Sequence, residues 1–253
     1  MRSDGRSGDS RVGRGFSPCR PTGLARRPDP RRRAISEVAV VALVFAVSAP
    51  AGAGPVSGTV RTETREGIAP ARAVVYAEPL DGRPPRRVER ATLTQRHRAF
   101  LPAVLAVPVG STVDFPNEDV IFHNVFSLST PMPFDLGLYR AGESRSRTFT
   151  RAGTYRVFCN IHPQMTAFIV VAPTPWVTMA DPQGAYRLEL PPGRYRLTAI
   201  SERAVPVVAE VTVGTGTTTA PVLELDESAF VSVPHKNKHG HDYPASAYDP
   251  TRK

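Results

Sequence analysis

The stretch that decides the fold is Cys159-Asn-Ile-His162-Pro-Gln-Met165, which ends a run of alternating residues. Tyr155, Val157 and Cys159 lie two positions apart, and side chains at that spacing point to one face of a β-strand. Cys159 is therefore predicted to stand at the end of a strand, on its inward face. The short loop that follows is expected to bring His162 and Met165 around the same point.

His123, well upstream, supplies a further possible ligand. A Greek-key sandwich can bring its strand alongside that of Cys159. One thiolate, two imidazoles and one thioether are the donor set of a blue-copper electron-transfer site. In such a site three strong ligands form a plane and the thioether binds weakly on the axis. We therefore predict a type 1 copper, cycling between Cu(I) and Cu(II), held by His123, Cys159, His162 and Met165.

Other interpretations of these residues explain less of the pattern. A lone buried cysteine is usually an inert small hydrophobe, and a lone methionine usually fills core space. A thiol and a histidine could also form a hydrolytic nucleophile and its base. That interpretation leaves Met165 and His123 unused, so copper is favoured.

The donor set predicts an electron carrier and no enzyme, hence no catalytic residues. Three planar ligands and an axial Met165 leave no open position for substrate, which catalytic metals keep. Multicopper oxidases and copper nitrite reductases need a histidine beside the cysteine, whereas Phe158 precedes Cys159 here. A copper-sequestering or sensor role stays open, because it could use the same ligands.

These motifs resemble those of the cupredoxins. The Cys-x-x-His-x-x-Met loop, with Pro163 after the histidine, is similar to the loop of amicyanin-like proteins. The segment Phe115–Asp119, followed by His123-Asn124, resembles the one that carries the first histidine ligand in plastocyanin-like families. The stretch 109–171 and the Pro-His-Lys-Asn-Lys sequence at 234–238 resemble bacterial "methylamine utilization" plastocyanin-like proteins. The resemblance implies a Greek-key cupredoxin sandwich, an all-β fold, over residues 54–172.

The resemblance also implies roles for residues around the metal. The backbone N–H and the side chain of Asn124 are expected to form a second layer that braces the ligand loop. Loop position, rather than the resemblance, predicts that the ring edge of His162 faces solvent and that Pro163, Gln164 and Met132 form a docking patch. The expected partner is a redox protein such as a c-type cytochrome or a periplasmic dehydrogenase. We expect the carrier itself to be a monomer.

A second pattern begins after the predicted boundary at Pro173–Pro175. Asp181–Gly184 predicts a hairpin turn, and Tyr186, Leu188 and Leu190 alternate after it. Together with Pro191–Tyr195, this arrangement resembles the carboxypeptidase-regulatory-like modules, which belong to the carbohydrate-binding-like sandwich folds. We therefore expect a small β-sandwich at 173–226 that packs on the first domain, with sugar binding as an alternative role.

The two ends of the chain differ from its middle. The first 53 residues hold ten arginines and four acids, and an apolar run before Ala53 predicts a cleaved signal peptide. We expect the protein to be exported to the periplasm or outside the cell, with no transmembrane anchor after cleavage. Cys159 would then be the single cysteine of the mature protein. The remaining charge is too mild and dispersed to indicate nucleic-acid binding. The polar tail 227–253 is expected to be solvated or to serve in docking.

The alternation of residues also predicts where strands and loops lie in the first domain. Loops are expected at Asp81–Arg87 and Pro131–Gly142. Strands are expected at 56–60, 73–77, 91–95, 103–107, 112–115, 124–127, 145–150, 153–158 and 167–171.

Overall fold

The computed structural model describes residues 54–244, and every regular element in this range is a β-strand. The all-β prediction is therefore confirmed. The predicted signal peptide, with its cleavage near Ala53, and the last residues, 245–253, lie outside this range. Between residues 54 and 244 no helix is long and apolar enough to cross a membrane.

Nineteen strands follow one another along the described chain. They are β1 Gly54–Thr64, β2 Gly67–Ala69, β3 Val74–Pro79, β4 Arg90–Thr92, β5 Thr94–Arg96, β6 Ala99–Leu101, β7 Val104–Pro108, β8 Thr112–Pro116, β9 His123–Ser127, β10 Phe134–Tyr139, β11 Ser144–Thr148, β12 Gly153–Phe158, β13 Thr166–Ala172, β14 Val177–Met179, β15 Ala185–Leu190, β16 Gly193–Ile200, β17 Val207–Val213, β18 Thr218–Thr219 and β19 Leu223–Asp226.

The first sandwich uses the strands from β4 to β13. One sheet has the order β10-β9-β12-β13-β7 and the other β11-β8-β4, while β5 and β6 form a separate hairpin. Strand β13 runs parallel to β7, and β4 runs parallel to β8, so the chain crosses between sheets. The inward side chains form one apolar core, which includes Phe115, Val125, Phe149, Tyr155 and Ile169.

The second sandwich is not confined to residues after 172, as the sequence had predicted. Strands β1 and β3, expected in the first domain, pair instead with strands that follow residue 176, and β2 pairs with β1. Val56 and Val60 of β1 share one core with Tyr186, Leu188 and Leu190 of β15. A segment of about 50 residues is marginal for building both layers of a sandwich, so the N-terminal strands complete it.

The two sandwiches contact each other through β13, whose side chains are buried on both faces. Ile169 points into the first core, whereas Phe168 and Val170 pack against Val74 and Ile200 of the second sandwich. The expected packing of one module on the other is therefore present, and it uses a continuous apolar strand rather than an alternating one.

One of the two loop predictions is wrong, because a strand lies within the segment. The segment Pro131–Gly142 contains β10, which pairs with β9 beside the candidate site. The register shifts between Asp135 and Leu138, and Gly137 adopts a φ of 73°, which favours glycine. This irregularity interrupts the alternation and hides the strand from sequence analysis. No regular strand lies in the other predicted loop, Asp81–Arg87.

Candidate metal centre

The predicted planar ligands meet at one end of the first sandwich. His123 begins β9, Cys159 directly follows β12, and His162 lies in the loop between β12 and β13. Strands β9 and β12 are neighbours, and Phe158 pairs with Phe126. Pairing of the two strands therefore brings His123 and Cys159 together, and the short loop returns His162 to them.

The three donor atoms form a small triangle. The two Nδ1 atoms of His123 and His162 lie 3.1 Å apart, and the sulfur of Cys159 lies 3.8 Å and 3.7 Å from them, respectively. A metal bonded at about 2.0 Å to nitrogen and about 2.3 Å to sulfur separates its donors by roughly 3 to 4 Å. The triangle therefore fits one ion. Between residues 54 and 244 it is the one such group of His, Cys, Asp or Glu side chains.

The environment of Cys159 suits a metal-bound thiolate. Its side chain is fully buried, and the backbone N–H of Asn124 lies 3.5 Å from the sulfur. Burial raises the pKa of the Cys159 thiol above its usual value, although backbone N–H groups facing the sulfur act in the opposite direction. A bound cation would favour the thiolate that burial alone disfavours.

Asp119 orients His123, a role that sequence analysis missed. Its carboxylate lies 2.8 Å from Nε2 of His123, so the ring presents Nδ1 to the other donors. The same carboxylate accepts the backbone N–H groups of His97 and Arg98, both at 2.8 Å. These two turn residues have φ angles of 53° and 54°, a strained region for side chains other than glycine. Asp119 therefore ties the β5–β6 turn to the site.

The charge of Asp119 follows from the same contacts. Burial raises its pKa, but the hydrogen bonds from Arg98, His123 and His97 outweigh burial and hold the pKa below its usual value. The carboxylate is therefore ionised at neutral pH and accepts a hydrogen bond from the Nε2–H group of His123. Asn117, itself buried, supports this loop by accepting the Asp119 N–H and donating to the Ile121 carbonyl.

The rest of the ligand loop closes on itself. The N–H of Met165 donates to the His162 carbonyl at 2.9 Å, and the Met165 carbonyl accepts the Cys159 N–H at 3.2 Å. The Met165 side chain is buried in the same core as Cys159, and its axial role stays a prediction. Burial, with His123 nearby, lowers the pKa of His162 to about 4, so its imidazole is neutral at pH 7 and able to bind metal.

The side chain of Asn124 does not brace the ligand loop as expected. Its amide donates to Asp135 at 2.7 Å, while its side-chain oxygen is buried without a partner. Asp135 lies on β10, the strand that sequence analysis assigned to a loop, so this contact could not be anticipated. The backbone N–H of Asn124 faces the sulfur as expected.

The predicted docking patch is not where sequence analysis placed it. Pro163 is buried, and only Gln164 of the three residues is exposed. Met132 contacts Thr150, and its neighbour Pro131 lies beside Gly153 at the start of β12, about 20 Å from Cys159 at a rise of roughly 3.3 Å per residue. Loop position alone does not determine which end of a strand a residue occupies.

Exposed apolar side chains lie on the two loops next to His123 and His162. Val120 and Phe122, in the loop before His123, are 94% and 53% exposed, and Ile161, beside His162, is 46% exposed. Such side chains on the loops that carry the metal ligands are typical of an interaction site. We refer to Val120, Phe122 and Ile161 as the loop patch.

Comparisons with known proteins agree with the donor set. The model of the family "Copper binding proteins, plastocyanin/azurin family" matches residues 90–172, about a third of the chain. This match covers the first sandwich and all four predicted ligands, and it supports a cupredoxin domain there. A search of curated proteins found no match.

Several solved structures are similar to this chain. A copper-containing nitrite reductase from Thermus scotoductus SA-01 is 34% identical, with a TM-score of 0.31, over 37% of this chain and 23% of its own. A purple cupredoxin from Nitrosopumilus maritimus is 23% identical, with a TM-score of 0.30, over 32% of this chain and 99% of its own. The Cu(I) form of an amicyanin mutant is 27% identical, with a TM-score of 0.31, over 32% of this chain and 80% of its own. This chain thus spans about a quarter of the reductase. Scores this low establish neither fold nor activity.

Proposed function

We propose that this protein is an exported blue-copper carrier that passes single electrons between redox partners. His123, Cys159 and His162 would hold the copper in a plane, and Met165 would bind on its axis. The observation that carries the proposal is the triangle of two imidazole nitrogens and one thiol sulfur within a segment that matches a copper-binding family. Bound copper would supply a one-electron couple between Cu(I) and Cu(II).

The contacts of the ligands support a site that changes little between oxidation states. His123 is held by the Asp119 carboxylate, and the sulfur of Cys159 faces backbone N–H groups. Contacts within the protein itself therefore fix the positions of the donor atoms, and the ligand loop is closed by its own backbone hydrogen bonds. Fixed ligands reduce the rearrangement that accompanies each electron transfer, which favours a carrier over a store.

Partner approach is the second part of the proposal. Of the two histidines, His123 is fully buried and His162 is partly exposed, so His162 is the expected electron port. The loop patch would dock a redox protein, such as a c-type cytochrome or a periplasmic dehydrogenase, against this edge. A small apolar surface suits brief contacts that break quickly, because transient redox encounters use small interfaces.

Reconstitution tests the proposal against sequestration by the same ligands. Metal-free protein is titrated with Cu(II), the bound copper is counted, and the potential and the electron self-exchange rate are then measured. A carrier should bind one copper per chain, show a reversible one-electron potential and exchange electrons rapidly. Tight copper binding without reversible reduction would support a copper-sequestering protein and would contradict the proposal.

A further inference from the structure

We propose that the segment Pro234–Tyr243, here called the clamp, positions the copper ligand loop. Sequence analysis expected this polar segment to be solvated or to serve in docking, but the structure lays it against residues 158–163. The consequence for copper rests on the proposed function, whereas the effect on the loop is independent of any metal.

The first contact of the clamp is made by His235. Its ring stacks on Phe158, with centroids 4.0 Å apart and an angle of 22° between the planes. Its Nε2 donates to the Pro163 carbonyl at 2.7 Å. Phe158 directly precedes Cys159, and Pro163 directly follows His162, so His235 touches the neighbours of two ligands.

The burial of Phe158 explains why β12 needs this cover. Inward and outward side chains alternate along a strand, so Phe158 points away from the core that Cys159 faces. It is nevertheless only 6% exposed, because His235 stacks on its ring, the ring of Phe126 lies 5.7 Å away and Arg156 lies 5.4 Å from its centre. An apolar ring on the outer face is stabilised by this covering, and the clamp is thereby held beside the ligand loop.

The second contact is made by Lys238 and reaches both sides of the site. Its backbone N–H donates to the Asn160 side chain at 3.0 Å, and its ammonium group donates to Asp135 at 2.8 Å. Asp135 in turn accepts the side chain of Asn124, the residue after His123. Lys238 therefore links the ligand loop to the strand of the first histidine.

The charges of this second contact favour a stable link. Burial raises the pKa of Asp135, but hydrogen bonds from Lys238, Asn124 and the Gly137 N–H outweigh it and keep the pKa below its usual value. The carboxylate is therefore ionised at neutral pH and accepts a charge-assisted hydrogen bond from the ammonium group.

A third contact and an internal turn make the clamp a structured segment. The Tyr243 hydroxyl lies 3.1 Å from the Asn160 carbonyl oxygen and 3.5 Å from that of Cys159. Between Lys238 and Tyr243, the Asn237 side chain accepts the N–H groups of His239 and His241. The clamp therefore has a turn of its own in addition to its contacts with the loop.

These contacts predict a loop whose position does not depend on the metal. Residues 160–164 are held from one side by the clamp and from the other by the turn that closes on Met165. Loss of the clamp leaves every copper ligand in the chain but allows the loop to open. We expect copper to bind still, to leave faster, and to sit in a less uniform geometry.

A pair of lysine variants tests the clamp. Lys238→Met removes the ammonium group from Asp135 but keeps an apolar stem of similar length. Lys236→Met is the matched control, because Lys236 reaches only Asp242, at 3.9 Å, and is largely exposed. His235→Phe is a third variant, which keeps a ring over Phe158 and removes the donor to Pro163. All three positions lie outside the two sandwich cores, so folding is preserved.

Amide hydrogen exchange in the metal-free protein is the first measurement. Exchange of residues 160–165 should rise on the order of tenfold in Lys238→Met and His235→Phe, because local opening becomes easier, and should stay unchanged in Lys236→Met. Equal amide exchange of residues 160–165 in Lys238→Met and Lys236→Met would contradict the proposal that the clamp positions the loop. This outcome does not depend on whether the site takes copper.

The copper-loaded protein supplies the second measurement. Transfer of Cu(I) to a chelator should be faster in Lys238→Met than in Lys236→Met, and the EPR lines of the Cu(II) form should broaden. Faster loop exchange with unaltered copper transfer and EPR lines would show that the clamp does not act on the metal. A wild-type protein without a blue-copper spectrum would contradict the proposed function alone.

Discussion

At the scale of single residues, Asp119 determines how the buried imidazole of His123 faces the metal. A metal-binding histidine needs one nitrogen free of hydrogen, and a carboxylate on its other nitrogen fixes that tautomer. Asp119 also accepts two backbone N–H groups of the β5–β6 turn, so its own position is fixed. The orientation of the ligand His123 therefore depends on the β5–β6 hairpin, which carries no predicted metal ligand itself.

Asp119→Asn should weaken copper binding by roughly 10- to 100-fold, the usual effect of losing such a partner. The amide can still occupy the space, but it accepts the Nε2–H of His123 less strongly than a carboxylate. Competition titration against a copper chelator measures the change. Glu118→Gln is the control, since Glu118 is the exposed neighbouring carboxylate. Equal copper affinities in the two variants would show that Asp119 does not support copper binding.

Met165→Leu tests the proposed axial ligand. A weak thioether on the axis stabilises Cu(II) more than Cu(I), so its replacement should raise the reduction potential. The colour should persist, because it comes from the thiolate of Cys159. A redox titration followed by visible absorption checks both points. Copper loss as severe as in Cys159→Ser would show that Met165 does not bind on the axis.

At the scale of elements, two neighbouring strands and one loop account for the site. Pairing of β9 with β12 brings His123 to Cys159, while the loop before β13 carries His162 and Ile161 outward. The loop before β9 carries Val120 and Phe122. The same short segments therefore carry the proposed metal ligands and expose the apolar side chains of the loop patch.

Ile161→Glu should slow electron self-exchange on the order of tenfold or more, because a charged side chain in place of an apolar one must lose its water when two copies dock there. The visible spectrum should stay unchanged, since Ile161 contributes no donor atom. NMR line broadening in mixtures of the two oxidation states measures the rate. Gln164→Glu adds the same charge without removing an apolar group, and an equal slowing in both variants would refute docking through the loop patch.

The sequence predicted the elements of the site better than the surroundings of each element. The spacing of Cys159, His162 and Met165 is visible because one loop carries all three, and strand alternation identified β12 and β15. Asp119 and Lys238 act through contacts that only the folded chain forms, so no local pattern marks them. The partner of β1 was also hidden, because an alternating strand does not reveal which sheet it joins.

At the scale of the whole molecule, the second sandwich surrounds the first in sequence and contacts it in space. Its core takes strands from both ends of the described chain, and Phe168 and Val170 of β13 pack on it from the first sandwich. The clamp then continues from the last strand of the second sandwich to the ligand loop. One strand and one segment therefore couple the second sandwich to the candidate copper site.

Phe168→Ala should lower the free energy of unfolding by about 3 to 5 kcal/mol, as expected for truncation of a buried phenylalanine. Guanidinium unfolding of the metal-free protein measures the change. Val208→Ala, on a 60% exposed side chain of the second sandwich, should change it by less than about 0.5 kcal/mol. Similar values for the two variants would show that the two sandwiches do not stabilise each other through β13.

The central claim is that Cys159 binds copper as a thiolate in a plane with His123 and His162. The most direct test is the visible and EPR spectrum of the Cu(II)-loaded protein beside that of Cys159→Ser. The wild-type protein should be blue or green, with the narrow copper hyperfine splitting of a thiolate site, and should bleach on reduction. The variant should fold and lack the colour. A colourless wild-type protein that binds Cu(II), or a coloured variant, would contradict this account.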